Sequence, residues 1–313
     1  MRVAAIDLGT NSTRLLVADV EKGRVTELVR RTVVTRLGDG VDERPLLRPD
    51  AIARVRSVLV DYRREAEALG AERALATATS AVRDAENGEA FLGEVQRSFG
   101  LETLLLSGDD EAELTLRGVT SDRALEPRTL VVDIGGGSTE LVLGGPDGVD
   151  SSTSLQLGCV RMEERFLGSD PPTDDELASL AAHVRSQLPD LSPARAIGVA
   201  GTVTTLAALD LGVTEHDVDL IHRHVVPRGS VERSFRGLAA VPLAERERVP
   251  GLEPSRARVI VAGIAVLREI LDAYSLDAVE ASERDILHGA AIAAAELPPR
   301  EEGDAPPQAF AAC

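Results

Sequence analysis

The sequence predicts an α/β protein of two domains, each a mixed β-sheet covered by helices, with a cleft between them. Its 313 residues suit two domains of ordinary size. Residues 7–12 and 133–138 each begin with Asp, contain glycine and a hydroxyl side chain, and lie between two apolar runs. Apolar β-branched runs favour strands and glycines favour tight turns. Since the two segments lie about one small domain apart, they indicate a duplicated unit.

Residues 1–124 are predicted to form the first domain. Its helix begins at Pro49, a residue favoured in a first helical turn, continues with apolar residues at helical spacing, and ends at Gly70. Strands are predicted at residues 3–7, 13–20, 25–34, 74–79 and 102–106, further helices at 89–99 and 108–119, and a turn or helix start at 82–84.

Residues 125–296 are predicted to form the second domain, after a short polar connection at 120–128. The last helix, at about 283–296, is expected to be able to pack back on the first domain. Residues 297–313, rich in Pro, Ala and charge, are predicted to be a disordered tail. Strands are predicted at 129–134, 138–144, 149–157, 196–199 and near Ala278, and helices at 159–167, 173–188, from about 200, 229–239, 254–274 and 283–295.

Composition excludes several partners. The net charge of −18 argues against general affinity for nucleic acid or anionic lipid, and aromatic residues, at 2%, are too scarce for base stacking. No apolar run is long enough to span a membrane, and no signal peptide is recognisable. The two cysteines provide no disulfide framework. We therefore expect a cytoplasmic protein that binds neither nucleic acid nor membrane.

The chain has a single lysine, Lys22, in a predicted hairpin turn. A P-loop enzyme, a protein kinase and a Schiff-base enzyme each need a lysine in the site, so these classes are disfavoured. The glycines of 135–137 allow backbone N–H groups to approach an anion. The carboxylates of Asp133 and Glu140, which flank them, require a cation beside that anion. The residues thus predict a phosphate cradle with a divalent metal.

Five motifs together resemble the exopolyphosphatase / guanosine pentaphosphatase (Ppx/GppA) family of the actin-like ATPase superfamily, in its short two-domain form. The resemblance implies two actin-like (ribonuclease H-like) domains and hydrolysis of a terminal phosphoanhydride. It also implies Mg²⁺ as the metal, with Mn²⁺ as the alternative. The motifs occur, in order, at residues 7–12, 77–83, 107–111, 133–140 and 198–205.

The resemblance also implies the roles of individual residues. Glu111 matches the general base, and Arg83 matches a phosphate-binding arginine. Asp133 and Glu140 match a metal- or water-coordinating pair, with Asp7 in the outer shell of the metal. The phosphate-binding residues that it implies are Thr10, Asn11, Ser12, Gly135, Gly136, Gly137, Ser138, Gly201, Thr202 and Thr204.

Polyphosphate and guanosine pentaphosphate remain alternative substrates. A polyphosphate chain calls for a track of arginines, and the shortage of aromatic residues disfavours a guanine pocket, so polyphosphate is preferred. Long members of the family carry an additional C-terminal helical region that this sequence lacks, so short chains are expected. A small-molecule kinase, an actin-like filament and a non-catalytic alarmone sensor are weaker alternatives. The resemblance is compatible with a homodimer, and the sequence leaves the oligomeric state open. The candidate arginines for the track are Arg36, Arg161, Arg165, Arg256 and Arg258.

Two further features favour structural roles. Cys159 has no histidine near it in the sequence, so we expect a small packed residue rather than a nucleophile. His222 and His224 have a spacing found in metal sites, but loop histidines of this kind usually serve the structure.

Overall fold

The structure is a computed structural model that describes residues 1–298. The chain divides into two compact units: unit 1 comprises residues 1–107 and the segment from Ile286 onward, and unit 2 comprises residues 108–285. Unit 2 therefore begins before residue 125, where the sequence analysis placed the second domain. From residue 299 onward, the predicted disordered tail lies outside the described residues.

Unit 1 contains a five-stranded sheet in the order β3-β2-β1-β4-β5. The strands are β1 (Arg2–Leu8), β2 (Ser12–Glu21), β3 (Arg24–Val34), β4 (Arg73–Ala78) and β5 (Glu102–Leu105). The first three are antiparallel, whereas β4 is parallel to β1 and to β5. The helices are α1 (Pro49–Ala68), α2 (Ser80–Arg83), α3 (Gly88–Phe99) and α12 (Ile286–Glu296).

Both faces of this sheet are buried. Ala4, Ile6 and Leu8 of β1 pack in a core with α1, α2 and α3. The intervening residues Val3 and Ala5 pack with α12 on the other face. This alternation explains why β1 is a continuous apolar run, since successive side chains of a strand point to opposite faces.

Unit 2 repeats the plan with a six-stranded sheet in the order β10-β11-β9-β6-β7-β8. The strands are β6 (Thr129–Ile134), β7 (Thr139–Gly145), β8 (Gly148–Leu155), β9 (Arg195–Val199), β10 (Val225–Pro227) and β11 (Ala278–Ala281). The helices are α4 (Gly108–Thr120), α5 (Cys159–Phe166), α6 (Asp174–Gln187), α7 (Ala200–Leu211), α8 (Val218–Ile221), α9 (Arg228–Ala239), α10 (Leu243–Arg246) and α11 (Ile260–Ala273).

The second sheet is also covered on both faces. Leu130 and Val132 belong to the larger core, with residues of α5, α6, α7, α9 and α11. Val131 and Val142 pack on the other face with Ala112 and Val119 of α4. The predicted fold class, two mixed sheets covered by helices, is confirmed.

Two helices pack on a sheet other than the one they follow in the chain. Helix α4 follows β5 of unit 1 but packs on β7 and β8, and α12 follows β11 of unit 2 but packs on β1 and β2. Each unit therefore completes its second layer with a helix that begins just after the chain has crossed from the other unit.

The helix predicted at 254–274 is wrong at its start. Pro254–Arg256 form a 3₁₀ turn, and α11 begins only at Ile260. Glu253 explains this turn, because it accepts hydrogen bonds from the side chains of Ser255 and Arg256. The last helix begins at Ile286 rather than 283, since Ser282 forms local hydrogen bonds with Arg284 that hold a turn. The short elements α8, β10 and α10 were not predicted.

None of the helices within residues 1–298 is long and apolar enough to cross a membrane.

Candidate active site

The two predicted phosphate turns share one backbone geometry. In unit 1 the N–H of Gly9 donates to the carbonyl of Ser12 at 3.0 Å, which closes a two-residue hairpin loop between β1 and β2. In unit 2 the N–H of Gly135 donates to the carbonyl of Ser138, also at 3.0 Å, between β6 and β7. Equivalent loops thus follow the equivalent first strands of both sheets.

The carbonyl groups of the first loop are turned back into unit 1. The Thr10 carbonyl accepts from the Gly38 N–H at 2.9 Å, and the Asn11 carbonyl accepts from the N–H groups of Thr35 and Arg36 at 3.1 and 2.9 Å. Because the C=O and N–H of one trans peptide point in opposite directions, the N–H of Asn11, which shares a peptide with the Thr10 carbonyl, faces away from Gly38. Within residues 1–298, the N–H groups of Thr10 and Asn11 donate no hydrogen bond.

The second loop is anchored in the same way by the start of α5. The carbonyls of Gly135 and Gly136 accept from the N–H groups of Cys159 and Val160, both at 2.9 Å. The Gly137 carbonyl accepts from the Gly158 N–H at 3.1 Å and from Arg161 Nε at 2.8 Å. The N–H groups of Gly136 and Gly137 donate no hydrogen bond to any residue from 1 to 298. These backbone donors suit an anion such as phosphate.

Asp133 and Glu140 are directly opposite each other in the β6–β7 ladder. Cross-strand partners point to the same face of a sheet, and Val131 and Val142, two residues along the same strands, lie on the face covered by α4. Both carboxylates therefore face the layer of α4. They are buried, with exposed fractions of 8% and 2%.

Each of these carboxylates accepts a hydrogen bond from a hydroxyl group of unit 2. Thr115 Oγ1, on α4, donates to Asp133 Oδ2 at 3.1 Å. Ser154 Oγ, on β8, donates to Glu140 Oε1 at 2.7 Å. Hydrogen bonds to an ionised acceptor are stronger than those between neutral groups, so both side chains are held in defined positions.

Glu111 lies in the first turn of α4 and is 5% exposed. The helix starts close to the sheet, because a Cβ on Gly108 would overlap the side chain of Ser154. Thr115, one turn after Glu111, contacts Asp133. Glu111 lies one helical turn before Thr115, so both side chains are on the face of α4 that is directed at Asp133 and Glu140.

In unit 1, Asp7 lies one residue before the end of β1, opposite Arg14 of β2. Arg14 donates through Nε and Nη2 to Asp7 Oδ2, at 2.9 and 2.7 Å, and both side chains are largely buried. Arg83 ends α2, and its Nη1 donates to the carbonyl of Leu106 at 2.6 Å. Thr10 is held through its hydroxyl, which is 2.9 Å from Ser80 Oγ. The Thr10 contact thus ties the first loop to the start of α2.

The start of α7 is the third predicted phosphate segment. A Cβ on Gly201 would overlap the guanidinium of Arg256, so that cation lies directly against the helix start. Thr202 and Thr204 are buried, and Thr204 Oγ1 donates to the carbonyl of Ala200 at 3.3 Å. A helix start offers backbone N–H groups to an anion. The Thr204 hydroxyl is bonded to its own helix, and the Thr202 hydroxyl lies against Gly263 of α11.

Sequence reasoning missed three anchoring residues. Arg14 could have been found by pairing β1 with β2, because that register places it opposite Asp7. Thr115 could have been found from its position one helical turn after Glu111. Ser154 carries no signal in the sequence.

Cys159 and the two loop histidines have structural surroundings. Burial raises the pKa of the Cys159 thiol to about 11, although Arg256 lowers it. His222 Nε2 is 2.8 Å from Asp122 Oδ2, and His224 Nε2 is 2.8 Å from Asp210 Oδ2. Within residues 1–298, no three His, Cys, Asp or Glu side chains come together as a metal-binding group.

The duplicated sheet and the paired glycine-containing loops define a class of two-unit α/β proteins. The model of the Ppx/GppA phosphatase family matches residues 16–295, and the chain belongs to this family. It is 39% identical to exopolyphosphatase 2 of Mycobacterium tuberculosis, over 94% of this chain and 98% of that protein.

Solved structures agree with this assignment. A Ppx-GppA enzyme of Aquifex aeolicus is 33% identical, with a TM-score of 0.80 over 94% of this chain and 99% of that one. An exopolyphosphatase of Cytophaga hutchinsonii is 25% identical, with a TM-score of 0.85 over 92% of this chain and 96% of that one.

Proposed function

We propose that this chain is an exopolyphosphatase, which hydrolyses the terminal phosphoanhydride of inorganic polyphosphate and releases phosphate. The observation that carries the proposal is the placement of Glu111 on the face of α4 that is directed at Asp133 and Glu140. In the same unit, the N–H groups of Gly136 and Gly137 donate no hydrogen bond within residues 1–298. Similarity to exopolyphosphatases from two organisms supports the substrate class.

In this proposal, Glu111 accepts a proton from the attacking water as the water approaches the terminal phosphorus. A buried carboxylate on a packed helix is suited to this role, because its position is fixed and a general base must lie within hydrogen-bond reach of the proton that it accepts. The bond between phosphorus and the bridging oxygen breaks as the new bond forms, and the remaining chain leaves with that oxygen. Negative charge on the phosphoryl oxygens is stabilised by positioned donors. We assign this task to Arg83 and to the N–H groups of the two loops.

We further propose that Asp133 and Glu140 hold Mg²⁺, with Mn²⁺ as the alternative. Mg²⁺ keeps most of its waters and binds through one or two carboxylates together with substrate phosphates. Two facing, buried carboxylates therefore suit it without a third protein ligand. When bound, the ion neutralises charge on the phosphate chain. Asp7, which is paired with Arg14, fits the outer-shell role better than direct coordination.

The test is phosphate release, with Mg²⁺, from tripolyphosphate, long-chain polyphosphate and guanosine pentaphosphate in parallel. Wild type and Glu111→Gln are compared, with melting temperatures measured on both. We expect release from polyphosphate, reduced at least about 100-fold by the substitution, which is the usual size of a general-base contribution. Release from guanosine pentaphosphate alone would assign the other substrate, and release from none of them would refute the hydrolase.

A further inference from the structure

The segment after β3 is fixed to the first phosphate loop through its backbone. The N–H groups of Thr35 and Arg36 both donate to the Asn11 carbonyl. Thr35 is itself held, since its hydroxyl is 2.9 Å from Thr13 Oγ1 and its carbonyl accepts from Arg54 Nε at 2.7 Å. The backbone of Arg36 is thus a rigid neighbour of the loop.

Arg36 adopts an unfavourable backbone conformation. Its φ of 49° lies in the left-handed region, which disfavours residues that carry a Cβ. Glycine occupies comparable turns at Gly23, Gly40 and Gly70. A strained residue beside a functional loop is a reason to look for a role of its side chain.

The side chain of Arg36 carries an available positive charge. It is exposed, and within residues 1–298 it forms no ion pair or side-chain hydrogen bond. Neighbouring arginines differ, because Arg14 is paired with Asp7 and Arg54 with Asp50. In a protein of net charge −18, an exposed arginine whose backbone is bonded to the loop of residues 9–12 is suited to a polyanion.

We infer that Arg36 determines specificity by binding a phosphoryl group of the polyphosphate chain other than the one released. The inference rests on the proposed function and extends it to one residue. Orthophosphate, which has no such second group, does not use this contact. Arg36 therefore contributes to the binding of tripolyphosphate and longer chains but not to the binding of phosphate.

The experiment compares Arg36→Gly with Lys22→Gly. Lys22 has a φ of 50° and lies in the β2–β3 turn, so both changes remove one positive charge and relieve a left-handed residue. Neither change is expected to lower the melting temperature. The KM for tripolyphosphate should rise about tenfold or more in Arg36→Gly, as expected for a lost hydrogen bond between charged groups. The kcat and the inhibition constant of phosphate should not change, and Arg36→Lys should restore part of the affinity.

Binding is also measured by calorimetry in a Glu111→Gln background, with Mg²⁺ and tripolyphosphate. A weaker affinity for tripolyphosphate in Arg36→Gly, but not in Lys22→Gly, would support the inference. It would do so even if wild type released no phosphate, because that result would refute only the proposed hydrolase activity. Equal affinities and equal KM values in the Arg36→Gly and Lys22→Gly forms would overturn it. A parallel weakening of phosphate inhibition would also overturn it, because Arg36 would then act on the released group.

Discussion

Gly158→Ala tests whether the conformation of the loop at residues 135–138 depends on the start of α5. A Cβ placed on Gly158 would lie 2.2 Å from the carbonyl oxygen of Gly136 and 2.3 Å from the carbonyl carbon of Gly137. Non-bonded heavy atoms prefer separations near 3.5 Å, so the loop or the helix must move by about 1 Å. Since φ of Gly158 is −72°, alanine brings no backbone strain, and the effect is purely steric.

Overpacking of this kind costs about 1–3 kcal/mol of unfolding free energy. A displacement of about 1 Å at the reacting groups can reduce the rate about 100-fold. We therefore expect kcat/KM for phosphate release to fall by more than the loss of folded protein, measured by the melting temperature, can explain. The assays are thermal unfolding and phosphate release from tripolyphosphate.

Gly237→Ala is the matched control. Gly237 lies in α9, and nothing lies within 4 Å of a Cβ placed on it. This change should leave activity intact and raise stability by up to about 1 kcal/mol, since alanine favours helix. Wild-type kcat/KM in Gly158→Ala would refute the assignment of the 135–138 loop to phosphate binding.

Two further changes address single contacts. Ser154→Ala removes the 2.7 Å hydrogen bond to Glu140, so we expect a lower kcat and a loss of about 1–2 kcal/mol in unfolding free energy. Ser152→Ala, on the same strand, removes only an exposed contact with Asp109 and should behave as wild type, and equal kcat values in the two variants would contradict a role for Ser154. In a Cys313→Ser background, the Cys159 thiol, whose pKa is raised to about 11 by burial, should resist a thiol reagent at pH 8 in the folded protein and react after unfolding. Rapid modification of the folded protein would show that this thiol is accessible.

Much of the fold could be predicted from local patterns. The strands around both phosphate loops are apolar runs interrupted by glycine, and this pattern predicts their positions to within about two residues. The predicted and observed element boundaries differ where side-chain contacts alter the backbone. One example is Glu253, whose contacts hold a 3₁₀ turn before α11. Such contacts join residues whose pairing no periodicity reveals.

The sequence by itself determined the duplicated plan and the two glycine-containing loops, because these depend on residue type and short spacing. Only the tertiary structure decided that α4 covers the face of Asp133 and Glu140. It also supplied the hydroxyl donors Thr115 and Ser154. The physical reason is that a strand pattern specifies which residues share a face of the sheet. Which helix covers that face depends on long-range packing that local sequence does not encode.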